Sequence, residues 1–270
     1  MIRYIIIALS IYAWFSRPDS PIEEKCSLEN TTFIADEVLV YKLYYNWKFV
    51  WIPAGEVRFE VKESEEHYEF ISTGKTYSSY DNFFRVRDYY YSKVDKETLF
   101  PVNFVRDIEE GKYTRYDSIL FDQENKKAIS YWGSKKENAQ PYEYDFDGCR
   151  QDMLSILYFV RNYDYSRFDK GDKIPVNIFF DKEEYPLKVR YDGKKKKKKI
   201  KSLGKFNTMK FTPEVVAGYV FDEETTMSLW VSDDENKIPL LIESPVSIGT
   251  IKATLKQYKG LKYPLSSKIE

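Results

Sequence analysis

One histidine, His67, is all that 270 residues supply. That removes histidine-based metal sites and leaves little room for a Ser-His-Asp triad. His67 lies in Glu65-Glu66-His67-Tyr68, a polar turn leading into a strand, where a solvated or structural role is the ordinary one. The two cysteines, Cys26 and Cys149, lack the C-x-x-C spacing of a redox dithiol. There is no Gly-rich phosphate loop after a strand and no G-x-S-x-G elbow, so neither chemistry is encoded in its usual form. No charge dominates: Lys plus Arg is 42 against 43 for Asp plus Glu, a net charge of −1. Global electrostatics therefore gives no reason to expect nucleic acid or an acidic membrane as partner. Long apolar runs are missing too. The longest, Ile5 to Phe15, falls short of the about 20 residues that span a bilayer.

Hydrophobic residues make up 43% and charged residues 31%, which excludes both a disordered chain and a multi-span membrane protein. A globule of this length buries roughly three quarters of its unfolded surface, so it folds without help from a metal or a disulfide. The N-terminus has the layout of a secretory signal peptide: Arg3, then the apolar run, then the proline-bearing Ser16-Arg17-Pro18-Asp19-Ser20-Pro21. We read 1–16 as signal peptide, 17–31 as linker, 32–262 as one β-rich domain and 263–270 as a C-terminal tail. Cys26 follows Glu23-Glu24-Lys25, the wrong approach for lipid attachment. Cys26 and Cys149 form an even pair in a chain bound for an oxidising compartment, where they either bond or remain two separate thiols.

Aromatic residues reach 17%, with 24 Tyr, 18 Phe and 5 Trp, and this favours strands. Leu39, Tyr41, Leu43, Tyr45 and Trp47 alternate with Val38, Val40, Lys42 and Tyr44, and Val57, Phe59 and Val61 alternate with charged residues. Further strands are expected at Tyr68–Lys75, Arg87–Val94, Val102–Ile108, Tyr113–Phe121 and Ala128–Trp132. Glu109-Glu110-Gly111-Lys112 reads as a hairpin turn. From Arg150 to Asn162 the period changes, predicting a helix of about three turns. Strands resume at Val176–Phe180 and Leu187–Tyr191, Asp192-Gly193 turns the chain, and Lys205–Phe211 returns it. Thr226–Ser232, Ile238–Glu243 and Thr250–Tyr258 complete the set. The expected fold is mainly β, a single antiparallel curved sheet or open β-barrel carrying one packed helix.

No catalytic set emerges, and no metal or other cofactor is implied. Lys194, Lys195, Lys196, Lys197, Lys198 and Lys199 form the loudest local feature, placed by the pattern at the tip or edge of a hairpin. They are either an anionic contact, such as lipid headgroups at a membrane surface, or lysines that keep an edge strand from pairing. No aromatic residue interleaves them, which argues against single-stranded nucleic acid. The aromatic excess points to an apolar or amphiphilic ligand held against Tyr45, Trp47 and Phe59 in a cavity of several hundred Å³. Two rival readings stand beside this one. An envelope glycan enzyme would set two carboxyls across a groove, one with a raised pKa. A structural partner in an envelope protein complex would present a flat apolar patch.

The order of motifs resembles the bacterial domain-of-unknown-function family 3108. Its opening is matched by Ala35-Asp36-Glu37-Val38-Leu39-Val40-Tyr41 and Ile52-Pro53-Ala54-Gly55-Glu56-Val57, its midpoint by Val94-Asp95-Lys96-Glu97-Thr98-Leu99-Phe100-Pro101. Its helix is matched by Cys149-Arg150-Gln151-Asp152-Met153-Leu154-Ser155. Gly204-Lys205-Phe206-Asn207-Thr208, Trp230-Val231-Ser232-Asp233-Asp234 and Gly249-Thr250-Ile251-Lys252-Ala253 resemble its C-terminal half. The resemblance implies an exported, periplasmic or outer-membrane-associated β-rich protein of Gram-negative bacteria, with no assigned activity and no catalytic residues to carry over. Where the family pattern has glycine before Glu37, this chain has Asp36, which weighs against a tight turn there.

Overall fold

The computed structural model describes residues 25–47, 50–201, 203–214, 227–245 and 249–269, with the backbone alone at Trp47. The expected signal peptide and the first part of the linker lie outside the described residues.

Fourteen strands make one antiparallel sheet. The N-terminal half is a meander: β1 (Val38–Trp47), β2 (Val50–Glu63), β3 (His67–Thr76), β4 (Val86–Asp95), β5 (Pro101–Glu110), β6 (Tyr113–Asp122), β7 (Lys127–Gly133) and β8 (Gln140–Asp145). The C-terminal half is a second: β9 (Lys173–Phe180), β10 (Glu183–Ile200), β11 (Gly204–Glu214), β12 (Ser228–Ser232), β13 (Pro239–Pro245) and β14 (Thr250–Lys259). Pairing of β1 with β14 fuses them, so the spatial order runs from β8 back to β1 and on from β14 to β9. The two edges, β8 and β9, are consecutive in the chain. An open barrel follows, as the strand pattern predicts, and its seam is filled by the segment between those edges.

That segment holds the helix, α1 (Ser155–Phe159), which is much shorter than the periodicity predicts. Two polar residues explain the difference. Gln151 is held extended: its N–H donates to the Asn177 carbonyl and its own carbonyl accepts from Phe179, a parallel bridge to β9. Asp152 then caps the helix, Oδ1 accepting from the N–H groups of Leu154 (2.7 Å) and Ser155 (2.8 Å). After Phe159 the chain tightens into a 3₁₀ turn, Val160–Asn162. Ile156, Tyr158 and Phe159 are buried because the segment plugs the barrel, and Leu157 faces out.

The plug meets the main core. Phe70 stacks on Tyr158 with centroids 3.9 Å apart, and Phe33 packs edge-on against both. Such ring pairs add about 0.5–1.5 kcal/mol each beyond area burial. A second core of Leu39, Tyr41, Ile200, Phe206, Leu240 and Leu255 fills the C-terminal half. Between them Arg161 and Glu37 form a fully buried bidentate pair (2.6 and 2.8 Å), and Arg161 also donates to the carbonyls of Thr32 and Asn236. Those extra bonds offset the desolvation that makes most buried pairs marginal.

Several local readings change. Asp192-Gly193 does not reverse the chain; it forms a bulge inside β10, whose true turn comes after Ile200. Gly193 has φ 81°, and Asp192 accepts from Thr212 on β11 at 2.6 Å, which pins the bulge. Strand β8 was not read from the sequence: Tyr142 and Tyr144 do alternate with Glu143 and Asp145, but over only six residues that begin at Gln140-Pro141. Bulges at Val40/Tyr41 and Leu43/Tyr44 break the simple alternation of β1. Residues 263–269, read as a tail, lie along β11: Ile269 donates to the Lys205 carbonyl and Asn207 to that of Ser267. The turn before Glu37 does form, with Asp36 taking φ 66° in place of a glycine.

Candidate functional site

Among the described residues, the protein's own rings pack much of the interior, where a ligand cavity was expected. Of the three residues expected to line one, Phe59 packs edge-on against Tyr41 (5.6 Å) and joins both cores. Tyr45 is half-buried and its ring lies beside Gly249. Trp47's side chain lies outside the described residues.

A groove of about 230 Å³ lies elsewhere, where the end of the β10–β11 hairpin folds over β1, β2, β13 and β14. Cross-strand register builds its floor: Tyr44 on β1 pairs with Lys252 on β14, and Lys252 with Glu243 on β13. Ile200 anchors the hairpin end by entering the second core. Lys198, Lys199 and Lys201 are thereby carried to the groove's other wall.

The lysine run is divided by this geometry. Lys194 pairs with Asp233 at 2.8 Å, while Lys195, Lys196 and Lys197 are exposed. A bulge between Lys195 and Lys198, with Lys197 at φ 57°, then re-aims Lys198. Its ammonium sits 3.7 Å from the Trp230 ring centroid, half-buried and with no carboxylate in ion-pair reach among the described residues. Burial holds its pKa below the usual lysine range, partly opposed by Glu243. Lys201 lies over Tyr44 (4.7 Å) and Lys252 over Trp51 (4.1 Å). Four lysines thus line the groove against one carboxylate, Glu243, which Lys252 already engages at 2.7 Å. An anionic group is the complement of this arrangement, and the indole and phenol walls suit an apolar extension beside it. The edge reading also has a basis: β9 stops at Lys173 opposite Arg190, so the lysine half of β10 pairs with β11 on one side.

Acidic candidates lie away from the groove. Burial, reinforced by Glu110 on the next strand, pushes Asp88 up to about 7, and its Oδ1 is buried without a partner. Burial likewise raises Asp152 to about 6, although it accepts from Ser92 Oγ at 2.5 Å. His67 begins β3. Among the described residues no three His, Cys, Asp or Glu side chains gather as a metal site. Cys26 and Cys149 are joined by a disulfide, tying the N-terminal strap to the start of the plug. Sequence reasoning missed Lys252, Lys201 and Trp230, because the pairing of β1 with β14 joins residues some 200 positions apart and leaves no local trace.

The sequence profile described as "protein of unknown function (DUF3108)" matches residues 40–256. The chain belongs to the DUF3108 family. Among curated proteins none matches its sequence. Among solved structures, this DUF3108 chain is similar to the β-barrel-like DUF1849 protein from Brucella abortus, at 10% identity and a TM-score of 0.55. That match covers 86% of this chain and 100% of the other, and it shows a shared fold. Fainter likenesses are to a lipoprotein candidate from Parabacteroides distasonis (13% identity, TM-score 0.32) and to an exported-protein candidate with a YmcC-like fold from Bacteroides fragilis (8%, 0.29). Each covers 87% of the DUF3108 chain and 100% of its own.

Proposed function

We propose that this DUF3108 protein is exported to the cell envelope of a Gram-negative bacterium, where it binds the anionic group of an amphiphile in the Lys198 groove. One observation carries the reading: Lys198, half-buried on Trp230, has no carboxylate in ion-pair reach among the described residues, and three more lysines surround the same small space. An ammonium partly removed from water gains from an anionic oxygen, and the gain exceeds that of an exposed pair. The groove is smaller than the roughly 300–1,000 Å³ of drug-sized ligand pockets. Its size suits a headgroup, with the chain left lying along Tyr44 and Trp51. This keeps the amphiphilic member of the apolar-or-amphiphilic expectation and moves it from Tyr45, Trp47 and Phe59 to the lysine groove.

Calorimetric titration with dihexanoyl phosphatidic acid, against the phosphocholine lipid of equal chain length, tests it. The phosphatidic acid should bind more tightly, and Lys198→Gln and Lys252→Gln should each weaken it by roughly tenfold or more, the loss of one charge-assisted contact. Equal affinity of both variants and the parent chain, or no binding to the parent chain, overturns the proposal.

A further inference from the structure

One end of the sheet carries apolar side chains that the fold leaves in solvent, and strand register sets them along that same end. Asn46 pairs with both Trp51 and Thr250, so the end of β1 and the start of β2 lie beside the start of β14. Gly55 pairs with Thr76 and Val86 with Glu110, which brings the 77–85 loop and the β5–β6 turn to the same end. Phe83 is 89% exposed there, Val50 60% and Phe84 54%, with Trp51 and Ile251 also exposed.

The exposure is built into the loop. The Tyr80 carbonyl accepts from the N–H groups of Phe83 (2.8 Å) and Phe84 (2.9 Å), closing a compact turn. Gly111 donates to the Arg85 carbonyl at 2.8 Å, and a side chain at Gly111 would meet the Phe84 ring. The loop is therefore clamped on the β5–β6 turn and holds Phe83 outward. Charge at this end is ordered as well. Glu56, Asp81, Glu109 and Glu243 are each engaged by a cation of the chain, namely Lys256, Arg87, Arg85 and Lys252. Lys112, Lys199 and Lys201 have no carboxylate in ion-pair reach among the described residues, while Glu110 and the buried Asp88 beside it are likewise without a cation there.

We propose that this end docks on an anionic bilayer surface, with Val50, Phe83 and Phe84 entering the headgroup layer and Lys112, Lys199 and Lys201 facing lipid phosphates. Aromatic rings beside free lysines match the interface, where the apolar part is buried shallowly and the cations stay in the wet, negative layer. The proposal stands on the rim, not on Lys198, so it and the groove can fail separately.

The full chain is tested by flotation with vesicles of phosphatidylethanolamine and phosphatidylglycerol, and with phosphatidylcholine alone. The double variant Phe83→Ser/Phe84→Ser changes only exposed rings, and an unchanged Tm checks that it folds. It should partition onto the anionic vesicles roughly tenfold less or weaker still, given the apolar area withdrawn, while titration with dihexanoyl phosphatidic acid stays as in the parent chain. Parent and variant floating equally assigns any membrane affinity to another segment, such as the apolar N-terminus, and overturns the proposal. So does failure of the parent chain to float, or sedimentation showing a parent dimer that the variant reduces to monomer, which would make the rim an interface between copies.

Discussion

Asp88 keeps one carboxylate oxygen, Oδ1, buried and unbonded while Glu110 presses a second negative charge toward it. Both effects favour the protonated form, and its pKa rises from 3.8 to about 7. The consequence for stability has a definite sign. Below pH 4 folded and unfolded chains are both protonated at Asp88, and it contributes no penalty. Between 3.8 and about 7 the folded state holds a proton that the unfolded state has lost, so stability falls as pH rises and levels off above about 7. Asp152, raised to about 6, acts in the same direction over a narrower window. In thermal unfolding at a series of pH values, Asp88→Asn should flatten the decline in Tm between pH 4 and 7 and gain most at pH 8. A parallel shift of the whole profile would show that Asp88 is already ionised there in the folded protein. Nothing at Asp88 is legible locally. The sequence shows an acid in an alternating strand, and only the neighbouring strand supplies Glu110.

At the scale of elements, the seam between β8 and β9 is closed by side chains instead of a ladder. The β9–β10 turn places Asp181 and Lys182 both at positive φ, 54° and 68°, the conformation of a tight hairpin turn usually given to Asn-Gly. That strain is held by contacts across the barrel. Asp181 accepts from Trp132 Nε1 (2.6 Å) and Arg106 Nη2 (2.7 Å), and its N–H donates to Asp117 Oδ2 (3.1 Å). Lys182 lies over the rings of Trp132 (4.0 Å) and Tyr142 (4.7 Å). Asp181→Ala strips Arg106, almost wholly buried, of its carboxylate, and should destabilise the protein by about 3 kcal/mol. Hydrogen exchange should quicken first in β8 and β9, ahead of β1 and β14. Uniform acceleration over all strands would show that the latch is not local. The strands this latch joins were mostly legible, since β2 to β7 each carry alternation and end in turn residues. The latch was not, because it joins residues 49 to 75 positions apart.

For the whole molecule, the Cys26–Cys149 disulfide closes a loop of 123 residues between the N-terminal strap and the plug. Such a cross-link stabilises chiefly by restricting the unfolded chain, nominally by about 2–5 kcal/mol. Paired replacement Cys26→Ser/Cys149→Ser should lower Tm and the urea midpoint by that measure yet leave the far-ultraviolet spectrum native, because two cores and the plug remain in place. Loss of the β signal at room temperature would mean that the bond is needed to fold. The strap has other anchors that should limit the damage: Asn162 Oδ1 accepts from the Thr31 N–H at 2.8 Å, and Phe33 is fully buried.

The chain by itself determined the β class, the meander of most strands, the absence of a histidine-based site and the pairing of the two cysteines as an option. These follow from local periodicity and counting, since a strand's side-chain alternation and a turn's residues are written over about ten positions. Tertiary structure decided the rest. The helix is short because Gln151 and Asp152 find partners on β9 and β4, not because its own residues disfavour helix. Likewise, only Lys198 and Lys199 of the six-lysine run joined the groove wall, because a bulge and a folded hairpin end set Lys198 against Trp230 and opposite Lys252. Sheet curvature makes neighbours of residues the sequence holds far apart, and a site built that way has no signature along the chain.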